Sequence, residues 1–178
     1  MHLNDQQSYK IVEATPEQAS LLRDLGEQTF REAYAADTDP TDMELYIRQN
    51  FTLDKIYNDL NNEKVKYYIA INDTQCAGYA CVRWDRTHEL LHDTKALMLH
   101  RIYLIKAFWG QQVGSLLLQQ VINFAKSVGY EWLWLVVWEE NRQALRFYEK
   151  WGFEHFGYED FQYGSIVTQD WAMRKRVL

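Results

Sequence analysis

Residues 132–138 read Trp-Leu-Trp-Leu-Val-Val-Trp, an apolar run with no polar interruption. A strand that is apolar on both sides must be covered on both sides, which places it inside a sheet sandwiched between layers. Its neighbours supply such layers. Upstream, Val113, Leu117, Val121 and Phe124 recur along one face of a helix expected from about Gln111 to Ser127, with Gly129 as its stop. Downstream, Asn141 is placed to cap a helix that runs to Trp151 and ends at Gly152. Helix, buried strand and helix joined by short turns predict an α/β fold with crossover connections.

The rest of the chain fits that frame. Lys10 to Ala14 predicts a first strand. Thr15-Pro16-Glu17-Gln18 then opens a helix with a capping box and a proline at its first turn. That helix extends to about Ala36, and Asp37-Thr38-Asp39-Pro40 breaks it. Thr41 with Glu44 predicts a second capping box, and Thr52 the cap of a short third helix ending near Leu60. Val65–Ile71 and Cys76–Trp84 read as a hairpin around residues 72–75, and Leu97–Ile105 as a further strand after a polar loop. Strands near Phe153–Gly157 and Thr168–Arg174 close the order. The expectation is a mixed central sheet of about seven strands flanked by helices, in one domain over 1–178.

Composition narrows the function classes. The 178 residues are 47% hydrophobic and 25% charged, enough for a sizeable core. Nineteen basic against 25 acidic side chains give a net charge of −6, which argues against a nucleic-acid or anionic-membrane binder. No apolar run approaches the ~18 residues of a membrane span. Residues 1–60 hold five basic and twelve acidic side chains, a net of −7, and the remainder carries +1. Cys76 and Cys81, five residues apart on one expected strand, should face opposite ways and stay unpaired. With a polar start lacking a signal segment, they fit a reducing cytoplasm.

One string carries chemistry. Asn141, Ala144 and Tyr148 recur at helical spacing, so one helix face offers an amide to orient a ligand and a phenol to donate a proton. The whole segment, Asn141-Arg142-Gln143-Ala144-Leu145-Arg146-Phe147-Tyr148-Glu149-Lys150-Trp151-Gly152-Phe153, closely resembles the N-x-x-A-x-x-F-Y-x-K-x-G-F motif of the GNAT superfamily of N-acetyltransferases. Val137-Trp138-Glu139-Glu140 resembles the preceding strand end in its spermidine/spermine branch. Strand order and length agree over about residues 10–175.

The resemblance implies an acetyl-CoA-dependent transfer to a primary amine by direct attack, without a covalent acyl-enzyme or a metal. It implies Asn141 on the pantetheine arm and Tyr148 as the acid that protonates the departing thiolate. It implies that Ile102, Tyr103 and Leu104 offer backbone groups to the pantetheine, with the Leu104 N–H as oxyanion donor. Gly110, Gln111, Gln112, Val113, Gly114 and Ser115 would cradle the pyrophosphate at a helix N-terminus. Here the chain departs from the family string Q/R-x-x-G-x-G/A, with Trp109 for Gln or Arg and Gln112 for the first Gly.

A general base is needed because a primary amine is mostly protonated at neutral pH. The family's strand-five glutamate position holds Val136, which leaves His100, Glu139 and Glu140 as candidates. The resemblance to the spermidine/spermine branch, with the acidic Glu27, Glu32, Asp37, Asp39, Asp42 and Glu44 in the region that borders the acceptor cleft in the family, implies a polyamine. A peptide or protein amine, an aminoglycoside, or a non-catalytic acyl-CoA-binding module are the competing readings. A homodimer is a further partner expectation. His88-Glu89-Leu90-Leu91-His92 matches the zinc-protease string H-E-x-x-H, which would need one α-helical face and a third ligand. It falls in an expected loop instead.

Overall fold

The computed structural model describes residues 8–73, 75–92 and 94–178. Strand β1 (Lys10–Glu13) leads through a 3₁₀ turn at Pro16–Gln18 into α1 (Ala19–Tyr34), then α2 (Pro40–Asn50) and α3 (Leu53–Leu60). Next come β2 (Val65–Ile71), β3 (Cys76–Arg83), β4 (Ala96–Leu104), α4 (Val113–Val128), β5 (Trp132–Val137), α5 (Arg142–Lys150), β6 (Glu154–Tyr163) and β7 (Ile166–Arg176). They build one seven-stranded sheet in the order β1-β2-β3-β4-β5-β7-β6. Only β4 and β5 run parallel, as a strand–helix–strand crossover requires.

The two faces of the sheet have different cores. On one, Leu97, Leu99, Leu133, Leu135 and Val137 pack under Val113, Leu117 and Val121 of α4 and Leu145 and Tyr148 of α5. On the other, Leu22, Leu25 and Ile56 of α1 and α3 cover Tyr67, Ile69, Tyr79 and Cys81. Beside them, Phe30, Tyr46, Phe51 and Tyr163 form an aromatic cluster where α1 and α2 meet β6.

Three sequence expectations change. Asp39, not Thr41, caps α2: its carboxylate accepts the Thr41 N–H at 2.8 Å. Pro40 explains this, because proline suits the first helical position and puts the cap one residue earlier. Cys76 and Cys81 do not face opposite ways. The β2–β3 register jumps from Ala70↔Gly78 to Ile71↔Cys76, so Ala77 is a bulge that turns Cys76 toward the same α1–α3 core as Cys81. Both are free thiols.

The closing strands are also longer than expected. They form one hairpin turning at Gly164, whose φ of +56° is left-handed. A Cβ there would lie 2.2 Å from Asp42 Oδ1, and Asp42 accepts the Ser165 N–H at 2.9 Å, so the bare glycine lets the hairpin tip dock on α2.

Candidate active site

Strands β4 and β5 pair only from Ala96↔Trp132 to Met98↔Trp134. Beyond Met98 they part, and the outer backbone edge of β4 is left open inside the sheet. The Ile105 N–H donates to the Ala77 carbonyl on the β3 side at 3.0 Å. By antiparallel alternation, Tyr103 also turns its backbone to β3, opposite Tyr79. Ile102 and Leu104 therefore present their N–H groups to the opening, while the Leu104 carbonyl accepts the Trp109 indole N–H at 3.1 Å.

The α4 N-terminus lies at the same end. Gly110 and Gln112 both take positive φ, 77° and 63°. Gln112 is the N-cap without capping with its side chain, and the first helical bond runs from the Leu116 N–H to the Gln112 carbonyl. The N–H groups of Gln112, Val113, Gly114 and Ser115 thus have no helical acceptor, which makes a positively polarised cradle for an anion. Around Gly110 nothing lies within 4 Å of where a Cβ would sit, and at Gly114 the nearest atom would be 3.5 Å away. An extended chain ending in phosphates fits the opening and this cradle together.

Helix α5 walls the opening. Asn141 caps it, its Oδ1 accepting the Ala144 N–H at 3.1 Å. The Tyr34 phenol of α1 is hydrogen-bonded by both Asn141 and Tyr103, so it links the two sides of the sheet opening. Tyr148 is buried, with its ring edge-on to Phe147 and Phe153. Burial pushes its phenol well above the ordinary range and keeps the proton on.

His100 is the extra residue of a second bulge, where Cys81↔Arg101 gives way to Val82↔Leu99. Burial and the neighbouring Arg101 guanidinium hold its imidazole well below the ordinary range, so it is neutral. Arg101 itself is buried with the Phe51 ring 4.6 Å beneath its guanidinium. Glu139 and Glu140 are exposed in the turn after β5. Glu140 borders a cleft of about 320 Å³ that Ala33, Tyr34, Asp37, Trp138, Asn141, Arg142 and Arg146 also line.

The acidic first third divides differently from the sequence expectation. Glu27 and Glu44 both grip Arg31, Glu32 accepts the Lys106 N–H, Asp39 caps α2 and Asp42 docks the hairpin. Among the six acidic residues expected at the cleft, Asp37 is the one that lines it. Charge excess on helices was mostly structural here. Asp170 and Tyr34 are residues of this region that the sequence reading did not single out. The His88–His92 string does not lie on an α-helix. Its middle is a single 3₁₀ turn, and the buried His88 ring meets the Tyr158 carbonyl at 3.2 Å.

Comparison with known proteins agrees with this geometry. The profile described as the Acetyltransferase (GNAT) family matches residues 24–153. An uncharacterised N-acetyltransferase from the pepI 3′ region of Lactobacillus delbrueckii subsp. lactis is 28% identical over 173 residues, covering 95% of this chain and 98% of that protein. An uncharacterised N-acetyltransferase of Mycobacterium tuberculosis strain H37Rv is 24% identical, over 90% of this chain and 98% of its own. Among solved structures, the PaiA N-acetyltransferase of Thermoplasma acidophilum in complex with coenzyme A superposes with a TM-score of 0.78 at 21% identity. That similarity covers 95% of this chain and 99% of the other.

Proposed function

The chain belongs to the GNAT acetyltransferase family and is an acetyl-CoA-dependent N-acetyltransferase, and from that premise we propose that it acetylates a primary amine of a small cationic acceptor, a polyamine. The observation that carries the acceptor reading is the cleft lined by the carboxylates of Asp37 and Glu140 and the rings of Tyr34 and Trp138, which Arg142 and Arg146 also line. Carboxylates with aromatic faces suit an alkylammonium, by charge and by cation–π attraction.

In this reading the amine attacks the thioester carbon directly. A C–N bond forms while the carbonyl oxygen gains negative charge, and the Leu104 N–H donates a hydrogen bond to that oxygen. The C–S bond then breaks and the Tyr148 hydroxyl protonates the leaving thiolate. The amine's own proton passes to neutral His100, or through water to Glu139 or Glu140. Ile102 and Leu104 hold the pantetheine arm with Asn141. The amides from Gly110 to Ser115 hold the pyrophosphate. Tyr103 contributes position, since its backbone is used by β3.

The test is thiol release from acetyl-CoA with spermidine, spermine, a lysine peptide and an aminoglycoside. Turnover fastest with the polyamines is expected. Turnover confined to the peptide or the aminoglycoside would replace the acceptor, and tight CoA binding with no turnover would make the protein a binding module.

A further inference from the structure

Asp170 of β7 is 5% exposed, yet no basic side chain among the described residues pairs with it. Among the described residues its carboxylate accepts one hydrogen bond, from the Thr168 hydroxyl at 2.9 Å. The pairing that places it is Val137↔Trp171, in which Trp171 packs toward the α4–α5 core. By strand alternation, Asp170 then projects to the opposite face, the side of Trp138, Tyr34 and α1. Its cross-strand partner there is Glu159, and Thr168 faces Phe161. The surroundings are aromatic: Tyr34 lies 6.4 Å from Trp138, and Phe161 lies 5.7 Å from Tyr46, between ring centroids.

A carboxylate withdrawn from water is costly without a cation. Arg101, the other buried charge, does not serve it, because its guanidinium lies over Phe51. The carboxyl is pushed upward from its ordinary range by burial and by the charge of Glu139 nearby. A buried carboxylate with a second carboxylate nearby and no cation paired to it forms a setting that a ligand cation would relieve.

We propose that Asp170 binds a second ammonium group of the acceptor, so that the site selects di- and polyamines over monoamines. The acceptor then lies across the open face, one amine at the β4–β5 opening and another at β7, with the rings of Tyr34 and Trp138 between. This rests on the amine-acceptor reading above and assigns that acceptor at least two positive charges.

The experiment is calorimetric titration of CoA-saturated protein with 1,4-diaminobutane, spermidine and butylamine, using wild type, Asp170→Asn and Thr168→Val. Wild type should bind the diamine about tenfold or more tighter than butylamine, as a desolvated charge pair predicts. Asp170→Asn should abolish that preference while moving butylamine binding less than about twofold. In turnover it should raise KM for the diamine with little change in kcat. Thr168→Val removes the internal hydrogen bond and keeps the charge, so the preference should survive. A purely structural Asp170 would make the two variants behave alike.

Equal wild-type affinity for diamine and monoamine, or an intact preference in Asp170→Asn, overturns the proposal even if amines are acetylated. Asp170-dependent diamine binding without acetylation of any amine sustains it and removes the catalytic reading of the acceptor instead.

Discussion

The Trp109 indole N–H donates to the Leu104 carbonyl at 3.1 Å, fastening the open end of β4 to the loop that forms the α4 cradle. Trp109 is one of the two residues that depart from the family string, and this bond gives it a use. Lys106 covers its ring, with Nζ 5.8 Å from the ring centroid. Trp109→Phe keeps the ring and removes the bond, so it should cost about 1 kcal/mol of stability. CoA affinity should fall several-fold, read by calorimetry against the melting temperature.

Gln112 is the sole non-glycine with positive φ among the described residues. An L-residue held there costs roughly 1–2 kcal/mol, while glycine loses about 0.5–1 kcal/mol more entropy on folding. Gln112→Gly should therefore be neutral to slightly stabilising, and it should strengthen CoA binding by opening the cradle. Gln112→Val should lower the melting temperature. Thermal shifts with and without CoA separate the two effects.

Tyr148→Phe should lower kcat by roughly 10²-fold with CoA affinity nearly unchanged. Because burial holds the phenol above its ordinary range, no decline in rate from its ionisation should appear up to about pH 10. An unchanged kcat removes Tyr148 as the acid.

His100 gives a pH prediction for stability. Its folded pKa lies well below the ordinary 6.5. Between those two values the unfolded chain binds the extra proton. Stability is thus full above about 6.5 and falls on acidification, by up to about 1.4 kcal/mol per pH unit. Denaturant unfolding of His100→Gln should show a shallower acid slope.

Gly78 is where β3 crosses the end of β4. A Cβ there would lie 2.4 Å from the Tyr103 carbonyl oxygen and 2.9 Å from Leu104 Cα, both backbone atoms. Gly78→Ala must push the strands apart, at a cost of about 1–3 kcal/mol. It should also impair CoA binding, because Leu104 would move with the strand.

What the sequence made legible was local and contiguous. The run Trp132–Trp138 with its two helices declares itself, because burial on both faces erases alternation. Asn141 as a cap follows from its position before α5. What it hid depended on counting along strands. The extra residues at Ala77 and His100 each reverse which face the neighbours occupy, and nothing in composition marks a bulge. Asp170 was invisible for another reason. It gains meaning only because β7, last in the chain, inserts between β5 and β6. The acidic residues of α1 and α2 misled in the opposite direction, since Arg31 pairs with Glu27 within α1 and with Glu44 across to α2, and Lys106 and Ser165 lie far along the chain from Glu32 and Asp42.

The early parting of β4 and β5 bears on how this protein should exchange its amide hydrogens. Depth in a sheet ordinarily means slow exchange, since a central strand opens only when the domain does. Here Ile102 and Leu104 occupy the fourth of seven strands while their N–H groups lack a neighbour on the β5 side. Free protein should thus carry fast-exchanging amides at its centre, beside slowly exchanging ones at Tyr103 in the same strand and at Ile105 just beyond it. Occupation of the opening would silence that alternation, so the middle of the sheet, and not its rim, is where deuterium uptake should report a bound ligand.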